Sequence, residues 1–323
     1  MSPEAAIAAF LNAVRSHPRF IVTSHARPDG DACGSALGLA ELLEQLGART
    51  DIIFADPVPA VYRSLPGAER IRIADSVAEI VPDAAVPAIL LECDGIARTG
   101  LKGLEGRILL NIDHHASGQH FGDLNWIDED ACACAAMVYQ IARAAKAEIT
   151  ATMATCLYAG ILSDTGSFTY PTTTAETFAM ARDLALCGAN PGAIARDIYL
   201  SKPVSRMRVL AASLGNLQCD GPVAWSWITH DEMEKAGGTA EDCEGIVNYL
   251  IGIVGIESAV FLREVPSANQ FRLSIRSKGR VDVARVAEAF GGGGHRSASG
   301  CTLDGPLNTA LERILPQLRN GLD

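Results

Sequence analysis

Four short apolar runs, at residues 20–23, 51–54, 88–92 and 108–112, each break off into a polar turn, and this repeated strand ending constrains the fold more than any other feature. Ser2-Pro3-Glu4 ahead of them opens a helix with a capping serine and a proline at its first position. Between the first two runs, residues 34–46 carry Leu37, Leu39, Leu42, Leu43 and Leu46 at helical spacing. Strands alternating with helices imply an α/β fold with a mostly parallel sheet flanked by helices, whose ligands gather at the carboxyl ends of the strands. Residues 131–187 read as helical, interrupted by Ser163-Asp164-Thr165-Gly166 and by Pro171, and Gly, Asn and Pro then cluster up to Pro203 before another helix at 204–213. Further on, residues 223–228 and 257–264 read as strands and 241–251 as a helix. Phe271, Leu273 and Ile275 alternate with Arg272, Ser274 and Arg276 as in a half-buried strand. The expected organisation is a first domain over 1–187, a linker with a connecting helix over 188–213, and a smaller α/β domain with a mixed sheet over 214–323.

With 48% apolar and 20% charged residues, the chain is too rich in apolar side chains for a disordered protein. No apolar run approaches the ~18 residues of a membrane span, and the start Met-Ser-Pro-Glu lacks the basic flank of a secretory signal, so a cytoplasmic protein without a membrane partner is expected. The nine cysteines include no Cys-x-x-Cys pair, which argues for buried reduced thiols rather than a zinc ribbon. A net charge of −11 argues against coating long duplex nucleic acid. The distribution is uneven, however: residues 263–296 hold seven bases and three acids, a local balance of +4. An acidic body with one basic patch suits a small anionic ligand held between metal and cations.

The first run ends in Ser24-His25-Ala26-Arg27-Pro28-Asp29-Gly30-Asp31, where an imidazole and two carboxylates crowd one strand end. Such a set repels itself and loses hydration unless a cation compensates it, although Asp31 also suits the cap of the following helix. The third run ends in Leu91-Glu92-Cys93-Asp94 and the fourth in Ile112-Asp113-His114-His115, the same structural address. Adjacent histidines cannot point the same way, so one suits a metal and the other the substrate. Asp164 falls at the end of an apolar helix, where it opposes the helix dipole and needs a compensating reason. Summed, His25, Asp29, Asp31, Asp94, His114 and Asp164 offer a hard, oxygen-rich set suited to Mn²⁺, with Mg²⁺ as the alternative. Six ligands exceed one open ion, and two ions sharing a bridging Asp94 fit better. In the basic segment, Gly291-Gly292-Gly293-Gly294-His295 allows backbone N–H groups to approach an anion, with Arg276 and His295 as further donors. Arg276, Gly292, Gly293, Gly294 and His295 are therefore the candidate clamp for a phosphate or nucleotide end.

The order His-x-x-x-Asp-x-Asp, Asp94, Asp113-His114-His115, Ser163-Asp164-Thr165-Gly166 resembles the DHH phosphoesterase superfamily, and residues 291–300 resemble the glycine motif of its associated C-terminal domain. The likeness spans nearly the whole chain and is closest to the nanoRNase branch, which degrades very short oligoribonucleotides to mononucleotides and removes the 3′-phosphate of 3′-phosphoadenosine 5′-phosphate (pAp). It implies a metal-dependent hydrolase with two Mn²⁺, and nucleotide held by the associated domain across a cleft. It also implies His25 and Asp29 on one ion, Asp31, His114 and Asp164 on the other, and Asp94 between them. His115 matches a general acid beside the leaving group, and Asp113 the carboxylate that orients its neighbours. Short RNA, with DNA as a further candidate, and pAp are the expected substrates, and a homodimer is compatible with the family. Superfamily enzymes acting on linear or cyclic dinucleotides or on phosphoanhydrides share the first four motifs. A non-catalytic nucleotide-sensing module is the rival from another class, and the complete ligand set argues against it.

Overall fold

The computed structural model describes residues 2–115, 118–266 and 268–321, with the side chain of His295 outside the described set. It divides into two compact units, Met1–Ser201 and Lys202–Asp323.

The first unit opens with α1 (Pro3–Ser16), capped by the Ser2 hydroxyl, followed by β1 (Arg19–Thr23), α2 (Gly30–Gln45), β2 (Arg49–Phe54) and the two-residue β3 (Arg72–Ile73). Then come β4 (Ala88–Leu91), β5 (Leu109–Asp113), β6 (Leu124–Ile127) and the helices α3 (Cys134–Ala145), α4 (Ala151–Asp164), α5 (Ala175–Leu186) and α6 (Pro191–Tyr199). Among the described residues the six strands form one parallel sheet in the order β3-β2-β1-β4-β5-β6. The chain runs outward from β1 to β3 and returns to place β4 beside β1, so the order reverses between β1 and β4. The carboxyl ends of those two strands therefore flank the crevice where such sheets bind ligands.

One face of this sheet packs on helices, with Phe20, Val22, Ile89 and Leu91 meeting Leu39, Leu43, Met137 and Leu157. The other, with Ile21, Ala88 and Leu90, is covered by loops and single 3-10 turns such as Val77–Glu79. α2 is buried along most of its length because α4 lies close against it. Gly160 makes the approach possible, since a Cβ there would fall 2.7 Å from Asp31 Oδ1.

The second unit comprises α7 (Val204–Gly215), β7 (Gln218–Asp220), β8 (Val223–Ile228), α8 (His230–Lys235), α9 (Ile246–Ile251), β9 (Ser258–Val265) and β10 (Gln270–Ser277). It ends with α10 (Val283–Glu288), β11 (Gly293–His295), β12 (Ala298–Asp304) and α11 (Leu307–Asn320). Its mixed sheet runs β11-β12-β10-β9-β8-β7, with only the β8–β9 pair parallel among the described residues. β10 alternates as its sequence demands, burying Phe271, Leu273 and Ile275.

Residues 188–213, read above as a linker with one helix, are instead two helices divided between the units. α6 buries Ile194 and Ile198 in the first core, and α7 buries Val209 in the second. The Asn and Pro that suggested a linker are a helix start: Asn190 Oδ1 accepts the Ala193 N–H and Pro191 occupies the first turn. Among the described residues, no helix is long and apolar enough to cross a membrane. All nine cysteines are free, seven of them buried.

Candidate metal and catalytic site

The ends of β1, β4 and β5 and the facing ends of α2 and α4 deliver their polar side chains to one place. Three sets of donor atoms, each set lying within 4.8 Å of one another, occur there among the described residues: His25, Asp29 and Glu92; Glu92, His114 and His115; Asp31, His114 and Asp164. Glu92 and His114 each belong to two sets, so the three are one continuous cluster. His25 Nε2 lies 3.5 Å from Glu92 Oε2 and 4.0 Å from Asp29 Oδ1. On the other side, His114 Nε2 lies 3.9 Å from Glu92 Oε1 and 3.4 Å from Asp164 Oδ2.

Asp94 is in none of these sets, and Glu92 stands where Asp94 was expected, between His25 and His114. The reason is local backbone geometry. β4 ends at Leu91, and Glu92 takes a left-handed conformation at φ 59° while its N–H still bonds Ile112 O at 3.0 Å. That turn breaks the strand alternation and lifts the Glu92 carboxylate onto the sheet edge, whereas Cys93 returns to the core and Asp94 falls two residues further on. A non-glycine residue in this region costs of order 1–3 kcal/mol and is commonly kept at functional sites.

The two acids of the first loop divide their work differently from the expectation that Asp31 caps the next helix. Asp29 is the cap of α2: its Oδ1 accepts the N–H groups of Asp31 and Ala32 at 2.9 and 3.0 Å. Asp31, fully buried, instead receives the N–H groups of Cys134 at 2.5 Å and Ala135 at 2.8 Å and so closes the start of α3, whose own N-cap is Ala133. Fixed N–H dipoles thus hold Asp31 oriented.

Adjacent to this, Asp113 is fully buried and its Oδ1 accepts from the backbone N–H groups of His114 and His115 and from His115 Nδ1 at 2.7 Å. A carboxylate can only accept, so Nδ1 is the protonated nitrogen of His115 and Nε2 is directed away from Asp113. The two imidazoles stand edge to face, 5.0 Å apart, as two histidines on neighbouring residues must. His114 Nδ1 is paired with Ala131 O at 3.1 Å, which leaves Nε2 for the cluster.

In the clamp region, Arg276 bonds Asn248 Oδ1 through Nε at 3.1 Å. Strand register sets Arg276 opposite Ala298, and Ala298 opposite His295. The sequence-predicted cation and histidine thus share one row of the sheet, although the His295 side chain lies outside the described residues. Gly292 and Gly294 are demanded by close backbone packing, since a Cβ would come within 2.2 Å of Gly300 O and 2.5 Å of Ala298 O respectively. Gly293 faces open space.

Burial opposes charge on His25 and His114, yet the Glu92 carboxylate, with Asp29 beside His25 and Asp164 and Asp31 beside His114, raises them to about 9 and about 10. Glu92 is held well below the usual carboxylate range: burial works against its charge, and the two imidazoles outweigh it. Burial and the Glu92 charge push Asp164 up to about 7 and Asp31 well above the ordinary value. Glu92 Oε2 is buried with no hydrogen-bond partner among the described residues. Two neutral imidazoles and three further carboxylates around such an atom suit a hard divalent cation, which would displace the protons now compensating the cluster.

A pH dependence follows. Raised histidines stabilise the metal-free fold fully below their unfolded value near 6.5, and this contribution is lost as pH rises through about 9 and about 10. Asp164, an acid raised to about 7, likewise favours the protonated folded form. Stability without metal is expected to fall between about pH 7 and 10, and the rise in Tm on adding Mn²⁺ to grow over that interval. Thermal melts with EDTA or Mn²⁺ across the range check this, and a pH-independent Mn²⁺ shift would contradict it.

Fold and cluster together define a phosphoester hydrolase. The chain belongs to the DHH family: residues 19–161 match the DHH family N-terminal domain and residues 220–320 match the DHHA1 domain. It is similar to the bifunctional oligoribonuclease and PAP phosphatase NrnA of Thermus thermophilus, 34% identical over 321 residues, covering 98% of this chain and 93% of that one. The Bacillus subtilis protein of the same name is 30% identical over 300 residues, covering 91% and 92%. Among solved structures, an exopolyphosphatase-related protein from Bacteroides fragilis matches with a TM-score of 0.91 at 26% identity, over 98% of this chain and 96% of that one.

Proposed function

We propose that this protein is a Mn²⁺-dependent phosphohydrolase that degrades very short oligoribonucleotides to mononucleotides and removes the 3′-phosphate of pAp. The observation that carries the reading is the continuous cluster in which Glu92 and His114 are each shared by two donor sets, which suits two neighbouring divalent ions. His25, Asp29 and Glu92 would hold one ion and Asp31, His114 and Asp164 the other, with Glu92 facing both. The likeness to the two NrnA proteins supports the substrate class.

Bound metal supplies charge stabilisation for a transferring phosphoryl group and lowers the pKa of an attacking water. The chain's own residues do the rest. Asp31, gripped by the start of α3, keeps its carboxylate from swinging toward solvent, while the half-exposed Asp29 is tied to the start of α2 through Oδ1. Asp113 fixes the His115 tautomer, so that Nε2 can hand a proton to a leaving oxygen. In the second unit, Arg276, held by Asn248, offers an anion grip for the nucleotide end beside the glycine segment 292–294, whose Gly292 N–H is already bonded to Ala287 O.

The test is one assay panel with Mn²⁺ on 2- to 7-nucleotide RNA, pAp, linear and cyclic dinucleotides, and pyrophosphate. Turnover concentrated on dinucleotide-length RNA and pAp is expected, and preference for pyrophosphate or cyclic dinucleotides would overturn the substrate assignment. In the same panel, Arg276→Ala is expected to lower kcat/KM on dinucleotides and pAp by about tenfold, from the ~1.5–3 kcal/mol of a charge-assisted hydrogen bond. An activated phenyl phosphodiester, with no nucleotide end to grip, should lose much less. Equal losses on both substrates would mean that Arg276 does not read the nucleotide.

A further inference from the structure

The segment joining β2 to β3 supplies no donor atom to the cluster, yet it touches both helices that carry the cluster's carboxylates. The first of its two 3-10 turns, Ala60–Tyr62, brings Tyr62 there, and its hydroxyl lies 3.0 Å from Ser163 Oγ. Ser163 immediately precedes Asp164 at the end of α4. The ring of the same tyrosine lies over Gly30, between Asp29 and Asp31, where a Cβ would fall 2.8 Å from Tyr62 Cε1 and 2.5 Å from Ser163 Cβ. Three elements therefore meet without slack at the point where the first-loop acids face Asp164. The segment is tied to the first loop a second time, by Asp56 Oδ2, which accepts the Arg27 N–H at 2.8 Å. Arg27 sits in the left-handed region at φ 59°, so the loop is held in a shape it would not keep by preference.

We propose that Tyr62 is a positioning residue whose hydroxyl pair with Ser163 sets the distance between the start of α2 and the end of α4, and with it the separation of the two metal-binding donor sets. The inference rests on reading those side chains as metal ligands. A shared two-ion site tolerates only about 0.5 Å of error in its ligands, so Asp164, the last residue of α4, needs stiffness beyond that of the hydrogen-bonded turn that follows it at 165–167. The Tyr62–Ser163 bond supplies that stiffness from outside the ligand set. Neither residue type is a metal ligand of this class, so the sequence points to no role for Tyr62 and names Ser163 only as the first residue of Ser163-Asp164-Thr165-Gly166.

Tyr62→Phe and Ser163→Ala each remove one hydroxyl and leave the packing. Partners that orient metal ligands typically contribute 10–100-fold to metal affinity, and each variant is expected to weaken Mn²⁺ binding by about tenfold in calorimetric titration. The electron paramagnetic resonance spectrum of the Mn²⁺-loaded protein should shift away from the coupled-pair signal. kcat for a dinucleotide should fall with KM nearly unchanged, and Tm in EDTA should stay close to wild type. Because the two hydroxyls act as one unit, the double variant should be no worse than either single one. Unchanged Mn²⁺ affinity in Tyr62→Phe, or additive losses in the double variant, would overturn the proposal. Asp164→Ala run in parallel separates the two readings. If Asp164→Ala loses metal and Tyr62→Phe does not, the strut alone is wrong; if Asp164→Ala also binds like wild type, the ligand assignment beneath it has failed.

Discussion

Glu92→Ala is expected to abolish phosphodiester hydrolysis and to lower bound Mn²⁺ together, while Asp94→Ala keeps the metal content and most of the rate. Glu92 is the only carboxylate among the described residues that faces both His25 and His114, with its two oxygens directed one to each imidazole. On the proposed two-ion reading, removing it would leave two cations close together with no shared anion between them. Metal in such a site provides several kcal/mol of transition-state charge stabilisation, and each 1.4 kcal/mol is tenfold in rate, so a loss of at least about 10³-fold is expected. Metal analysis of the purified variants, paired with dinucleotide turnover, decides it. A Glu92→Ala protein that retains two tightly held Mn²⁺, or an Asp94→Ala protein that loses them, would reverse the assignment. The metal-free Glu92→Ala protein should also need more acid to protonate its histidines than the wild type, because Glu92 is among the groups that raise His25 and His114.

The second large effect separates the neighbouring histidines. His115→Ala is expected to keep its metal and lose kcat by about 10²–10⁴-fold, the usual contribution of a positioned general acid. His114→Ala should lose metal as well as rate, because His114 Nε2 is within 3.4 Å of Asp164 and 3.9 Å of Glu92. His115 Nδ1 is committed to Asp113 at 2.7 Å, which fixes the ring for proton transfer through its other nitrogen. Measured metal content against residual rate distinguishes the two, and identical values in both variants would show that the division of labour is wrong. His115 also lies in one donor set with Glu92 and His114. A His115→Ala variant that loses metal first would therefore mark it as a ligand.

Much of this site is legible along the chain because parallel strands end abruptly. Once the apolar runs of β1 and β5 stop, the next polar side chains must lie at the sheet edge, and His25, Asp29, Asp31 and His114 follow from that alone. The same logic at β4 points to the first acid after the run, Glu92, as much as to Asp94. The choice between them turns on one backbone torsion, the left-handed φ at Glu92, which carries no composition signal when the residue is not glycine. The caps were ambiguous for a related reason. Asp29 and Asp31 are both good helix starters, and which helix each one closes depends on α3 arriving beside Asp31 from about a hundred residues away.

What the sequence determined by itself was the kind of order each segment adopts and the chemistry available at its ends. Hydrophobic period set strands against helices, the β1–α2–β2 unit pointed to a parallel sheet, and the strand-end acids and imidazoles named the class of ligand. These are properties of contiguous residues and need no partner to be read. The tertiary structure decided every property that depends on two distant segments meeting. It selected Glu92 over Asp94, set Asp31 against the first N–H groups of α3, divided residues 188–213 between two cores, and brought Tyr62 to Ser163. Each of these is a contact between side chains far apart in sequence, whose energy exists only after the sheet has ordered its strands and α2 has packed on α4. No local pattern carries them, because residue type fixes what a side chain can bond, and only the fold fixes what it meets.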